Sequence, residues 1–238
     1  MSSPRAFTTV LLPGLACDAE LWREQLGALA PYRPRVGDPH MRAASLAEMA
    51  AALLAAHDGE LVLVGASMGG RIALEAALQA PQRVRGLALL GSTARADTDE
   101  LRALRGEAVL RFEAGEMEML IDANSWFVFH RSAWDDDALL ARYRTMVQRA
   151  GVAQLVQQNR AMMAAPDLRP RLAALRCPTL VVCGEGDGVT PPECSQEIAA
   201  AIPGARLELL ADCGHMLTME KPAQVNRLLA GWLATLPG

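Results

Sequence analysis

Long uncharged apolar runs are missing from this chain of 238 residues. No window of about 18 residues, the length that spans a bilayer, is free of charge; the apolar runs at residues 10–12, 61–64 and 87–90 are strand-sized. No membrane span is expected. A secretory leader is not visible either, since Met-Ser-Ser-Pro-Arg passes at once into a short apolar run. Cysteine pairs of the CxxC kind are absent. Cys17, Cys177, Cys183, Cys194 and Cys213 are odd in number, and with four scattered histidines they show no zinc-type spacing. They read as free thiols in a reducing cytosol, which predicts a cytoplasmic protein with no metal. A basic stripe is lacking too: 22 arginines and one lysine are interspersed with 27 acids, for a formal charge of −4, so no nucleic-acid partner is expected. What the chain does have is 51% hydrophobic residues, too many for disorder.

Those residues are arranged in two periods. Short apolar runs alternate with longer stretches of helical spacing, the pattern of parallel strands covered by helices. Strands are predicted at residues 7–12, 35–38, 61–66, 86–90, 179–184 and 206–210. The run at 61–66 is apolar at nearly every position, as for a strand buried on both faces. Helices are predicted after Asp18, after Ser45 with Glu48 in the capping-box position, and at 68–80, 192–201 and 222–236. Between residues 93 and 170 no buried strand is legible, only helical segments, clearest at 98–113, 135–148 and 152–165. The acidic run Asp135, Asp136, Asp137 reads as a helix start rather than a metal site. One α/β sheet with a helical insertion accounts for this best: core at 1–92 and 171–238, insertion at 93–170, the latter too short to build its own core.

The most specific chemical signal is Gly65-Ala66-Ser67-Met68-Gly69, which fits G-x-S-x-G at the junction of a buried strand and a helix. A sharp turn there exposes a serine hydroxyl, and flanking glycines remove side chains that would clash. Serine needs a base within hydrogen-bond reach. His215 follows the last strand and falls at the crevice outside the carboxyl ends of the strands, ahead of His40 as a candidate; His57 suits a solvated helix end and His130 lies in the insertion. Asp187, in a glycine-flanked loop after the strand at 179–184, is placed to orient the imidazole, with Glu185 and Asp212 as competitors. The N–H groups of Met68 and of Leu15, in the loop Pro13-Gly14-Leu15-Ala16, are expected to bind a developing oxyanion.

With these residues in place the whole chain resembles the α/β-hydrolase superfamily. The resemblance is carried by LLPGLACDAELW, VLVGASMGGRIALEAA, PQRVRGLALLGSTAR, PTLVVCGEGDGVTPPE and CGHMLTMEKPAQVNRLLAGWL. It implies a triad of Ser67, Asp187 and His215, donors at Leu15 and Met68, and a helical cap over the sheet. Three departures stand out. Pro13-Gly14 replaces the usual His-Gly, Asp38-Pro39-His40-Met41 replaces a Gly-x-Gly-x-Ser turn, and few residues precede Phe7, so a reduced, mostly parallel sheet of about six strands is expected. Serine at the elbow argues against haloalkane dehalogenases, which carry aspartate there.

The expected activity is hydrolysis of a carboxylic ester or related acyl compound through an acyl-enzyme, with no metal or organic cofactor required. The same triad serves carbon–carbon hydrolases, lactonases, perhydrolases and acyltransferases, and the fold also serves as a binding protein. Met117, Met119, Leu120, Trp126, Phe127, Phe129, Met162, Met163 and Met216 are candidates for an apolar substrate pocket. No cluster of positive charge lies around the elbow, so a strongly anionic substrate is not favoured, with Arg71 and Arg131 as the exceptions to watch. The oligomeric state is not legible.

Overall fold

The computed structural model of the chain describes residues 7–237; the reading of the N-terminus made above falls on residues outside that range. Six strands form one sheet: β1 (Phe7–Leu12), β2 (Arg35–Val36), β3 (Glu60–Ala66), β4 (Val84–Leu90), β5 (Thr179–Gly184) and β6 (Arg206–Leu210). All five pairings are parallel, in the order β2-β1-β3-β4-β5-β6. The order reverses between β1 and β3, and in open parallel sheets that switch point, at the carboxyl ends, is where ligands bind.

Nine helices accompany the strands among the described residues: α1 (Arg23–Ala28), α2 (Leu46–Ala56), α3 (Met68–Gln79), α4 (Asp99–Glu113), α5 (Met117–Val128), α6 (Asp137–Met163), α7 (Pro192–Ala201), α8 (Leu217–Glu220) and α9 (Pro222–Thr235). Ser45 opens α2 with the full capping box, its hydroxyl taking the Glu48 N–H and the Glu48 carboxylate taking the Ser45 N–H. Asp136 caps α6 through the Leu139 N–H at 2.9 Å, the helix-start role expected of that acidic run.

Alternation along β3 divides the core. Leu61 and Leu63 pack on one face with α2 and α3, while Val62 and Val64 join the other with Trp22 and α9. Helices α4 to α6 add Phe112, Ile121, Tyr143 and Leu155 to that second cluster, so their buried face is continuous with the sheet's. Burying a Leu or Val side chain stabilises by about 1.5–3 kcal/mol, and β3 concentrates that gain. Leu63 is fully buried, so Leu63→Ala is expected to lower unfolding free energy by about 2–5 kcal/mol, read from the urea midpoint.

One expectation is corrected. The strand expected at 35–38 ends at Val36, because Pro39 lacks an N–H and a 3-10 turn, Pro39–Met41, follows. The helices expected at 135–148 and 152–165 are both present as the two arms of α6, separated at Gly151, whose φ of 74° and ψ of 164° are not helical. Helix α5 lies within the stretch read as helical, outside its three clearest segments.

Candidate active site

Between β3 and α3 the chain must turn sharply. Ser67 takes φ 52° and ψ −118°, a conformation that costs a non-glycine residue about 1–3 kcal/mol. Packing enforces it. A Cβ on Gly69 would run into the Leu12 carbonyl oxygen and lie 2.6 Å from that of Pro13; one on Gly65 would meet the Gly69 carbonyl. Only glycine allows β1, β3 and α3 to approach this closely. The Ser67 N–H donates to the Leu90 carbonyl at 2.8 Å, and the Ser67 carbonyl accepts from the Gly70 N–H and the Ser92 hydroxyl, each at 2.9 Å.

Asp187, in the loop after β5, meets His215, in the loop after β6. Nδ1 of His215 lies 2.8 Å and 3.0 Å from the two carboxylate oxygens. Oδ1 also accepts the N–H groups of Val189 (2.9 Å) and Thr190 (2.8 Å), and Oδ2 accepts the Thr190 hydroxyl (2.9 Å). Burial works to raise the Asp187 carboxyl. The charge and hydrogen bond of His215 and the bonds from Thr190 outweigh it, holding the group below the usual carboxylate range. Glu185 and Asp212, the competing acids, are exposed.

A further carboxylate fixes the histidine loop. Glu220, in α8, accepts the N–H groups of Gly214 (3.0 Å), Met216 (3.0 Å) and His130 (2.9 Å), tying both sides of His215 to the chain leaving α5. The His215 N–H itself donates to the Val128 carbonyl at 2.8 Å. Burial pushes the Glu220 carboxyl up, and the three backbone donors offset that only in part. In Glu220→Gln an amide NH₂ would face N–H donors. The expected result is about a hundredfold lower kcat/KM with the fold retained, measured by ester hydrolysis beside circular dichroism.

The loop after β1 faces Ser67 from β1's side of the switch point. A Cβ on Gly14 would lie 3.2 Å from that of Ser67. Two buried side chains shape this loop. Gln158 of α6 accepts the Ala16 N–H at 2.8 Å, and His40 bonds the Cys17 carbonyl through Nε2 at 2.9 Å. The Leu15 N–H is engaged in neither bond, and Met68 opens α3, whose first N–H groups have no intrahelical acceptor. His40 is thus a loop anchor outside the cavity lining, its pKa lowered by burial. His57 stands at the end of α2, and His130 pairs with Ser132 at 2.8 Å.

Ser67, Met68, Leu15 and His215 line one cavity of about 250 Å³, roofed by α4, α5 and α6. Of the expected pocket residues Leu120, Met162 and Met216 line it; Met117, Met119 and Met163 do not. Trp126, Phe127 and Phe129 are corrections. Trp126 (56%) and Phe127 (65%) are exposed, while Phe129 is buried edge-on against Tyr143, ring centroids 5.3 Å apart. The helical period explains this: Leu120, Ile121, Asn124 and Val128 form the inward face of α5, and the bulky residues lie off it. Bulk was the signal used; spacing would have found Asn124. Cys17 also lines the cavity, but burial, with the charge of Asp18, pushes its thiol up to about 12, so it stays protonated. Among the described residues no group of three or more His, Cys, Asp or Glu could hold a metal ion, and no helix is long and apolar enough to cross a membrane.

A strained serine at the strand–helix bend and an Asp–His pair at the same sheet edge define a recognisable class. The family model for the alpha/beta hydrolase fold matches residues 31–222, and the chain belongs to that family. RutD of Serratia proteamaculans, named as a carbamate hydrolase, is 30% identical, covering 97% of this chain and 92% of its own. The 2-hydroxy-6-oxononadienedioate/2-hydroxy-6-oxononatrienedioate hydrolase of Paraburkholderia xenovorans is 31% identical over 76% of this chain and 65% of its own length. Among solved structures, a thermophilic esterase from Thermogutta terrifontis superposes with a TM-score of 0.86 at 26% identity, covering 96% of this chain and 89% of that one.

Proposed function

We propose that this protein is a cytoplasmic serine hydrolase that cleaves a carboxylic ester or a related acyl compound through an acyl-enzyme. The observation that carries this is the 2.8 Å contact between Asp187 and His215 Nδ1, made beside a cavity that His215 shares with Ser67. In this reading Ser67 Oγ attacks the acyl carbon while Nε2 of His215 takes its proton. The carbonyl oxygen becomes an oxyanion held by the N–H groups of Leu15 and Met68. As the tetrahedral intermediate collapses, the imidazolium returns the proton to the leaving alkoxide, and water then repeats the sequence on the acyl-enzyme. Asp187 keeps the proton on Nδ1, so that Nε2 is the base. Helices α4 to α6, within the insertion at 93–170, act as the cap that covers the acyl group.

The mostly apolar lining supports a substrate with an apolar part. The relatives named for carbamate and for dienedioate hydrolysis favour a second reading, in which the same residues cleave a carbamate or a carbon–carbon bond beside a carbonyl. A fluorophosphonate probe tests the shared first step. Labelling at Ser67, lost in Ser67→Ala, is the expected result; no labelling of folded protein would overturn the reading. A panel of simple esters, a carbamate and a dienoic diketone then ranks the chemistries by kcat/KM.

A further inference from the structure

Arg105 of α4 is the only side chain of permanent charge among the described residues lining the cavity. Its guanidinium is already committed on one side. Nε donates to Asp97 Oδ2 at 2.8 Å, and Nη1 donates to Asn159 Oδ1 at 3.1 Å. Asn159 is held in that orientation because its own Nδ2 donates to the Leu155 carbonyl at 2.8 Å. The Asp97 side chain is 4% exposed against 19% for Arg105, and Asp97 is not part of the cavity lining. The counter-charge therefore sits behind the guanidinium, and the remaining hydrogens, including both on Nη2, bond nothing among the described residues. Arg71, the neighbouring buried cation, does not supply a second charge to the cavity: its Nη groups donate to the Arg95 and Pro166 carbonyls, and it faces Asp97, Glu75 and Asp167.

This arrangement discriminates between oxygen acceptors. A substrate carboxylate placed on Arg105 would share one guanidinium with Asp97, leaving a net negative charge in a mostly apolar cavity, and desolvating that charge costs more than the new bonds return. An uncharged ester, amide or ether oxygen accepts the same N–H with no such penalty and still gains a charge-assisted bond. We infer that the Asp97–Arg105 pair forms a subsite for an uncharged oxygen acceptor on the substrate, and that Asp97 is the residue that excludes carboxylates from it. The inference rests on the hydrolase reading and narrows its substrate class to acyl compounds that are neutral at the end away from the scissile bond.

The test uses the dimethyl and monomethyl esters of the straight-chain diacids from succinic to suberic acid. They differ only in a neutral or anionic far end. Folded wild-type protein is expected to prefer the dimethyl ester of the best-fitting length by at least about tenfold in kcat/KM. Asp97→Asn frees the arginine charge and should raise kcat/KM for the monomethyl ester by about tenfold or more; adding Arg105→Gln should abolish that gain. If Asp97→Asn does not fold, Arg105→Gln alone should weaken the dimethyl ester about tenfold and so collapse the preference. Equal use of both esters at every length by the wild type, or an unmoved ratio in a folded variant, overturns the inference. Failure of the hydrolase reading looks different: no fluorophosphonate label and no turnover of any ester. The same ratios are then read as calorimetric affinities on Ser67→Ala, so the selectivity is decided either way.

Discussion

Ser67→Ala is expected to lower kcat by about 10⁴–10⁶-fold on the best ester of the panel, with KM changed little. Nothing that holds the bend comes from the Ser67 side chain. The Ser67 N–H and carbonyl make its four fixing bonds, with Leu90, Gly70, Arg71 and the Ser92 hydroxyl, and the close contacts are at Gly65 and Gly69. Removing the hydroxyl therefore removes the proposed nucleophile without removing a support of the fold. Unfolding midpoints of the variant should match the wild type within about 1 kcal/mol, as for other substitutions that leave packing intact. Near-normal turnover by pure, folded Ser67→Ala would assign the chemistry to another group. Cys17 is the thiol that lines the cavity, and its raised pKa leaves it little thiolate at neutral pH.

The second large effect is expected from Asp187→Asn, about 10⁴-fold in kcat. Four donors surround the carboxylate apart from His215: two backbone N–H groups on Oδ1, from Val189 and Thr190, and the Thr190 hydroxyl and the Cys183 thiol on Oδ2. Asparagine has one acceptor oxygen, and the two backbone donors claim it. Its NH₂ then points at His215 Nδ1, which must accept, so the ring proton moves to Nε2 and the imidazole can no longer take a proton from serine. Substrate affinity should change far less than kcat, and a variant losing both equally would indicate collapse of the loop instead. Stability carries a sign as well. The Asp187 carboxyl titrates lower in the folded protein than in the unfolded chain, so its contribution is present above pH about 4 and is lost as the pH falls through the folded value. Asp187→Asn removes that part of the acid unfolding limb. Acid titrations of the two proteins followed by circular dichroism measure it.

The sheet was readable because its signals are local. β5, α7 and β6 fall where apolar runs, proline and helical spacing put them, and β3 reads as doubly buried because it is. Ser67 follows β3 directly, and Asp187 and His215 lie in the loops after β5 and β6, so parallel topology brings all three to one sheet edge. What was missed is long-range. Gln158 reaches the loop after β1 across 142 positions, and Glu220 reaches His130 across 90. Glutamine in a helix and glutamate ahead of a proline look like ordinary solvated residues until the fold shows what they touch. The cavity face of α5 was overlooked for another reason: Trp126 and Phe127 dominate by size, whereas the register of the helix selects Asn124 and Val128.

The bond from Gln158 to Ala16 has a practical consequence for engineering. On the proposed mechanism it makes the roof of the cavity part of the machinery for charge at the acyl oxygen, since α6 sets the pose of the backbone that carries Leu15. A chimera that transplants a roof from another hydrolase to widen substrate range would sever this strut unless a glutamine is kept at the equivalent turn of the incoming helix. Selectivity and rate in this scaffold would therefore drift together during directed evolution of α6, and varying α5 is the cleaner route to changing one without the other.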